Sequence, residues 1–211
     1  MQLIGMLDSP YVRRVAISLQ LLGLPFEHRS LSVFRTFDQF RAINPVVKAP
    51  TFVCDDGTVL MDSTLILDYA EGLAAPRSLM PAGLPQRLAA LRTIGLALAA
   101  CEKSVQLVYE RNLRPLEKQH EPWAARVVGQ MHAAYGELEA ELAKQPARRD
   151  PQPLGAADVA TAVAWHFTER MLPATVKDAA YPRLRALSAW AEQLPEFTAA
   201  PYGDGTVRPR S

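Results

Sequence analysis

Residues 44–70 read NPVVKAPTFVCDDGTVLMDSTLILDYA, and the punctuation of this stretch decides the fold. Two short apolar runs, 51–54 and 59–61, flank Asp55-Asp56-Gly57, whose composition suits a tight turn, so they read as an antiparallel hairpin. Asp62-Ser63 then opens a segment in which Leu65, Ile66, Tyr69 and Ala70 recur at helical spacing, a pattern that predicts a helix starting at a serine cap. Upstream, Asn44-Pro45 ends any preceding helix, because a proline pushes the residue before it out of the α region.

Toward the amino terminus the same reading gives a short helix over 36–43, a strand over 26–31 and a helix over 12–22 stopped by Gly23. Asp8-Ser9-Pro10 supplies helix-start chemistry after an apolar run of strand length at 2–6. The order over residues 1–75 is therefore βαβαββα. Residues 76–85 hold Pro76, Pro81, Gly83 and Pro85 with little periodicity and read as a linker. Beyond it the character changes: 88–108 and 123–142 are long, rich in Ala and Leu and helical in period, and 113–122 joins them as an antiparallel pair. Shorter helices are expected over 157–171 and over 182–194, the latter with Pro182 in its first turn. From Pro195 onward the chain reads as an irregular tail, so the second domain, 86–211, is all-helical.

Composition narrows the partners. A formal net charge of +1 supplies no concentrated basic face for nucleic acid or an anionic membrane, and the one dense basic spot, Lys144 with Arg148 and Arg149, reads as a solvated helix end. Cys54, in a predicted strand, and Cys101, in a predicted helix, make neither a disulfide framework nor a metal set, so no metal is expected and a reducing cytosol suits them. The first fourteen residues lack the basic and long apolar regions of a signal peptide. The apolar run at 94–100 falls far short of the roughly 20 residues of a membrane span. The expectation is a soluble, cytoplasmic protein.

Three local features carry the candidate chemistry, and each has a plain structural reading beside the functional one. Ser9-Pro10 puts a hydroxyl at a helix N-cap, which capping alone would explain. Lys48-Ala49-Pro50 is either an ordinary loop or a cis X-Pro turn that faces the N–H and C=O of Ala49 outward to pair with an extended peptide. Asp62-Ser63 is either a cap or, with the positive end of a helix, a seat for a carboxylate, with Asp62 beside it for an ammonium group.

The run Ser9-Pro10-Tyr11-Val12-Arg13-Arg14-Val15, then Asn44 to Pro50, then Asp62-Ser63 with Leu65-Ile66 and Tyr69, resembles the bacterial cytosolic glutathione transferases. Leu154-Gly155-Ala156-Ala157-Asp158, Tyr181-Pro182-Arg183-Leu184 and the stretch 190–197 are similar to segments of that family's helical domain. The resemblance implies a thioredoxin-like α/β domain followed by an all-α domain, with glutathione as co-substrate. It implies that Ser9 contacts the glutathione sulfur, that Ala49, before Pro50, pairs with the cysteinyl backbone, and that Ser63 and Asp62 hold the γ-glutamyl end. A serine hydroxyl is too weak a base to take the thiol proton, so Ser9 acts as a donor that stabilises the thiolate. Arg35 and Lys48 are the candidate cations for the glycyl carboxylate. A second-substrate pocket for a small hydrophobic electrophile would draw on Tyr11, Phe34, Tyr109 and Trp165, although Trp165 and His166 suit a core better. The family also implies a homodimer in which the first module of one subunit packs on the helical module of the other.

The chain departs from the family pattern at particular positions. Val47 stands where the family has glycine, Ala49 where it has valine, and Gly155 where a serine or threonine precedes Asp158, which reads as a structural cap residue. The aspartate many members carry midway along the first long helix is missing from Leu98-Ala99-Ala100-Cys101-Glu102-Lys103, where Glu102 is the candidate substitute. Conjugation, with Ser9 as the catalytic residue, is the leading expectation. A non-catalytic binding or regulatory module of the same fold is the alternative from another class. A glutathione-dependent thiol oxidoreductase ranks below both, because it would want cysteine in the place of Ser9.

Overall fold

The computed structural model describes residues 1–144, 154–176 and 180–208, so Arg148 and Arg149 of the basic cluster lie outside the described residues. Two compact units form, one from Met1–Leu79 together with Glu192–Ser211, the other from Met80–Ala191.

The first unit follows the expected βαβαββα order and has the mixed sheet of a thioredoxin-like module. Its elements are β1 (Gln2–Ile4), α1 (Pro10–Leu22), β2 (Glu27–Arg29), α2 (Phe37–Ile43), β3 (Thr51–Val53), β4 (Val59–Met61) and α3 (Ser63–Ala74). The strand order is β2-β1-β3-β4, with β1 parallel to β2 and antiparallel to β3, and β3 antiparallel to β4. The register aligns Arg29, Ile4, Thr51 and Met61 in one row. As a result, the chain leaves β2, β1 and β4, and enters β3, at one end of the sheet.

Leu3, Ile4 and Phe52 are fully buried, as are Val12, Val15, Ala16 and Leu19 on α1, whose spacing presents one helical face. Ile66 and Ala70 do the same on α3, which packs against α1. Ser9 caps α1, Pro10 follows it, and Gly23 ends the helix in the left-handed region at φ 74°, where its N–H returns to Gln20 O at 3.0 Å. The start of α3 differs from the sequence reading. Asp62, not Ser63, is the N-cap, because its carboxylate accepts the Thr64 N–H at 2.8 Å and Ser63 is already helical.

The second unit holds α4 (Leu84–Asn112), α5 (Glu121–Ala143), α6 (Ala156–Met171) and α7 (Pro182–Ala191). Arg92 meets Glu137 and Glu141 while Arg111 meets Glu121, so α4 and α5 run antiparallel. Helix α4 begins inside the stretch read as linker, since Pro85 in its first turn forfeits only an N–H that would go unpaired anyway. At the centre of this unit, Thr168 Oγ1 lies 2.6 Å from both Ser104 Oγ and Tyr135 Oη, and Trp165 packs edge-on against Tyr135. Burial pushes the Tyr135 phenol far above its usual range, so the network is neutral. Asp158 Oδ2 accepts the Gly155 N–H at 2.9 Å, the half of a capping box that needs no side chain at the cap.

The carboxyl-terminal segment departs most from expectation. After a short α8 (Pro195–Ala199) residues 200–208 are irregular, as expected, but the segment from Glu192 belongs to the first unit rather than to the helical one. Arg13, 1% exposed, donates two bonds to the Glu192 carboxylate at 2.6 and 2.7 Å and one to Ala200 O at 2.9 Å, with the Phe197 ring 5.6 Å from its guanidinium carbon. A guanidinium this deep is tolerated only because its donors are met. Replacing Glu192 by Ala is expected to lower stability in chemical denaturation by about 3–5 kcal/mol, the usual consequence of stranding a buried charge. The paired replacement Arg13→Met with Glu192→Leu should recover most of that loss.

Candidate functional site

The row formed by Ile4, Thr51 and Met61 gathers the three sequence features. Just beyond it lie the 5–9 connection ending at Ser9, the 44–50 loop ending at Pro50, and the Asp62-Ser63 start of α3. Gly5 touches the second of these: a Cβ placed on it would lie 3.3 Å from Ala49 Cβ and 2.6 Å from Val12 Cγ2, so no side chain fits there. The third is tied to α1 by Arg14, which donates to Ser63 Oγ at 3.2 Å and to Thr64 Oγ1 at 3.4 Å.

Ser9 Oγ accepts the Val12 N–H at a long 3.4 Å. Capping occupies a lone pair, and a hydroxyl keeps its own proton to donate elsewhere. The structural and functional readings of Ser9 are thus compatible. Asp8, beside it, is half-buried, and burial pushes its carboxyl above the usual range, against the lowering effects of the Ser9 backbone N–H and of Arg35.

The 44–50 loop is held from inside. Buried Asn44 donates Nδ2–H to Thr51 Oγ1 at 2.8 Å and accepts the Val46 N–H at 3.0 Å, while Thr51 Oγ1 donates to Lys48 O at 2.7 Å. The Ala49–Pro50 bond is cis, and among the described residues no backbone hydrogen bond engages Ala49. Lys48 is exposed. Val47 has φ 52°, a left-handed value that a β-branched residue rarely takes, which gives a physical reason for glycine at this position.

Asp62 also has positive φ, at 69°, and its carboxylate is engaged in capping. Ser63 is 3% exposed, with Arg14 behind it. The sequence reading missed Arg14 as a site residue, and the only signal was a charge set inside the apolar-periodic run of α1. Phe34 and Arg35 follow β2 at this same end, both exposed, and Arg35 pairs with Asp204 of the carboxyl-terminal segment at 3.5 Å. Tyr11 is half-buried in the first turn of α1.

The remaining candidates lie in the second unit. Tyr109 lines a recess of about 390 Å³ with Gln106, Glu110, Leu113, Arg114 and Trp123, a volume within the range of small-molecule sites. Inside it, Glu110 accepts the His120 N–H at 2.8 Å and pairs with Arg114 at 2.7 Å. Trp165 is corrected as a pocket residue: it is fully buried among Tyr135 and Tyr181 and has no surface to offer a ligand. Glu102 is engaged with Lys103 at 3.1 Å and Gln106 at 2.8 Å. Among the described residues, no group of three or more metal-capable side chains occurs, and no helix is long and apolar enough to cross a membrane.

Residues 3–78 match the model of the glutathione S-transferase N-terminal domain. The GST-like protein YibF of Escherichia coli K12 is 25% identical over 173 residues, covering 82% of this chain and 85% of that protein. A solved glutathione S-transferase of Methylobacterium radiotolerans, in complex with glutathione sulfonate, superposes with a TM-score of 0.81 at 27% identity, covering 100% of this chain and 98% of its own. A glutathione transferase family member from Pseudomonas fluorescens Pf-5, with bound glutathione, gives a TM-score of 0.79 at 27% identity and covers 99% of this chain and 98% of its own.

The backbone at Val47 yields a stability prediction. Val47→Gly removes the steric cost of a left-handed valine and adds freedom to the unfolded chain, so a net gain of about 0.5–1 kcal/mol is expected in urea denaturation.

Proposed function

We propose that this chain, whose residues 3–78 belong to the glutathione S-transferase N-terminal domain family and whose full length takes the fold of solved glutathione transferases, binds glutathione and stabilises its thiolate for attack on a small hydrophobic electrophile. The observation that carries the reading is the meeting of Ser9, the unengaged peptide unit of Ala49 and the amino-terminal end of α3 beyond one row of one sheet. The tripeptide needs a donor for sulfur, a backbone pair for its cysteinyl unit and a seat for its γ-glutamyl carboxylate, and these three segments supply such groups in that chemical order.

At the carboxylate seat, the N–H groups of the first α3 turn and the Ser63 hydroxyl act together with the Arg14 guanidinium, which adds a full positive charge to the helix end. Asp62 serves the ligand's ammonium group. Arg35 and Lys48 are the cations for the glycyl carboxylate. Ser9, as donor, lowers the thiol pKa from about 8.5 toward neutrality, and each tenfold change in the thiol–thiolate equilibrium corresponds to about 1.4 kcal/mol. Within the first unit, Tyr11 and Phe34 offer apolar surface that suits an uncharged electrophile. The buried thiols of Cys54 and Cys101, neither in a disulfide, fit work in a reducing cytosol.

A homodimer belongs to the same proposal. Leu84, Leu88 and Leu91 repeat at helical spacing on α4 and are all more than half exposed, as is Leu65 on α3, followed at helical spacing by Tyr69 and Leu73. Such stripes are the usual mark of an interface.

Retention on immobilised glutathione followed by conjugation of an aryl halide tests the reading. Failure to be retained would end it, and binding without turnover would leave a binding module. Ser9→Ala is expected to move the pH–rate profile upward by about one pH unit and slow conjugation at neutral pH about tenfold, with glutathione affinity nearly unchanged. A parent-like profile would reduce Ser9 to a helix cap. Leu88→Glu is expected to convert a sedimenting dimer to monomer, and a parent species already monomeric would remove that part.

A further inference from the structure

His28, on β2 in register with Leu3, bridges two segments that the sequence keeps 202 positions apart, Gly5 and Val207. Its Nε2 is 2.8 Å from Gly5 O, and its Nδ1 accepts the Val207 N–H at 3.0 Å. A carbonyl only accepts and a backbone N–H only donates, so both bonds exist together in one form of the ring, the neutral imidazole with its proton on Nε2. On one side of the ring, Gly5 opens the connection that leads to Ser9 and lies against Ala49. On the other, the 201–208 segment is pinned further. Ser30 donates its hydroxyl to Asp204 O at 2.6 Å, Arg208 N–H returns to Ala199 O at 2.7 Å, and the Asp204 carboxylate meets Arg35.

We propose that residues 201–208 form a strap along the β2 edge, that His28 is its latch, closed while the imidazole is neutral, and that the closed strap holds Asp204 on Arg35 in competition with the carboxylate of a bound ligand. The last clause rests on the glutathione reading. The latch rests on geometry alone.

Protonating Nδ1 sets N–H against N–H at Val207, which breaks the bond and opposes like partial charges. Burial keeps this imidazole below its usual range, against the raising effect of the Gly5 carbonyl. The sign follows: the stabilisation is complete above the ordinary imidazole value of 6.5 and is lost as pH falls through the lower value of the folded state. The charged groups nearby do not replace the latch. Glu27 and Arg29 flank His28 on β2, but alternation sends them to the opposite face, where both bond Gln2. Asp204 and Arg208 arrive with the strap, while Asp8 lies on the β1–α1 connection and Arg35 beyond β2.

Amide hydrogen exchange at Val207 tests the latch without any ligand. His28→Gln keeps a donor for Gly5 and loses the acceptor, whereas His28→Asn keeps an oxygen close to the position of Nδ1. Near pH 7.5, exchange at Val207 is expected to accelerate about tenfold in His28→Gln and less than about twofold in His28→Asn. Corrected for intrinsic chemistry, the parent should itself accelerate about tenfold on going to about pH 5, and His28→Gln should not. Parent-like protection in His28→Gln, or equal acid acceleration in both, would overturn the latch. Calorimetry with glutathione then reads the competition. Asp204→Asn is expected to bind about three- to tenfold tighter than the parent, and equal affinity would overturn the role of Asp204. Absence of glutathione binding in parent and variant, with the Val207 result intact, would overturn the glutathione reading and leave the strap standing.

Discussion

A guanidinium sits in the core of the first unit, 1% exposed, and the architecture around it follows from that fact. Arg13 lies on the first helix, one turn beyond Ser9, on the side it shares with Gln20, whose amide donates to Glu196 O at 3.1 Å. Its bonds go to Glu192 and Ala200, and Phe197 covers it, all three from the far end of the chain. The amino-terminal module is therefore chemically incomplete over its own contiguous sequence. Residues after the helical unit must return to close it.

That return also shapes the candidate site. The sheet gathers the Ser9 connection, the Ala49 loop and the α3 start by register, which needs only the pairing of Ile4 with Thr51 and of Thr51 with Met61. Register fixes where the segments emerge, and local networks fix how they are presented. Asn44 and Thr51 hold the Ala49 loop, Gly5 leaves room for it, and Arg14 braces α3. The carboxyl-terminal segment then adds His28 and Arg35 contacts at the neighbouring edge. Each of these groups commits hydrogen-bonding capacity to structure, yet Ser9 keeps a proton to donate and Ala49 keeps its peptide unit. A site can thus be preorganised by bonds that leave its working atoms available.

Much of this was legible in the residues. Hairpin punctuation at Asp55-Asp56-Gly57, the Ser9-Pro10 start and the apolar periods of the long helices carry their structure locally, so the element order and the fold class could be read directly. The start of α3 was misassigned by one residue because Asp and Ser both cap well, and only the bond from Thr64 distinguishes them. The α4 start was hidden by Pro85, which in isolation signals a break. What could not be read were the long-range satisfactions. Arg13, Arg14 and His28 carry no pattern that names Glu192, Ser63 or Val207, since a charge or an imidazole in an apolar run announces only that a partner must exist. Helix α8 is too short for periodicity to register, whereas Trp165 is in the core, the reading that its residue type favoured.

The separation of Arg13 from Glu192, 179 positions, has a meaning for how the chain is made. A ribosome adding about 5–20 residues per second needs roughly 9–36 s to deliver the second partner after the first. Throughout that interval the nascent amino-terminal half carries a cation destined for its interior with nothing yet synthesised to neutralise it. Final consolidation of that half therefore waits until Glu192 and the residues around it have emerged, and the helical half, contiguous in sequence, is free to settle first.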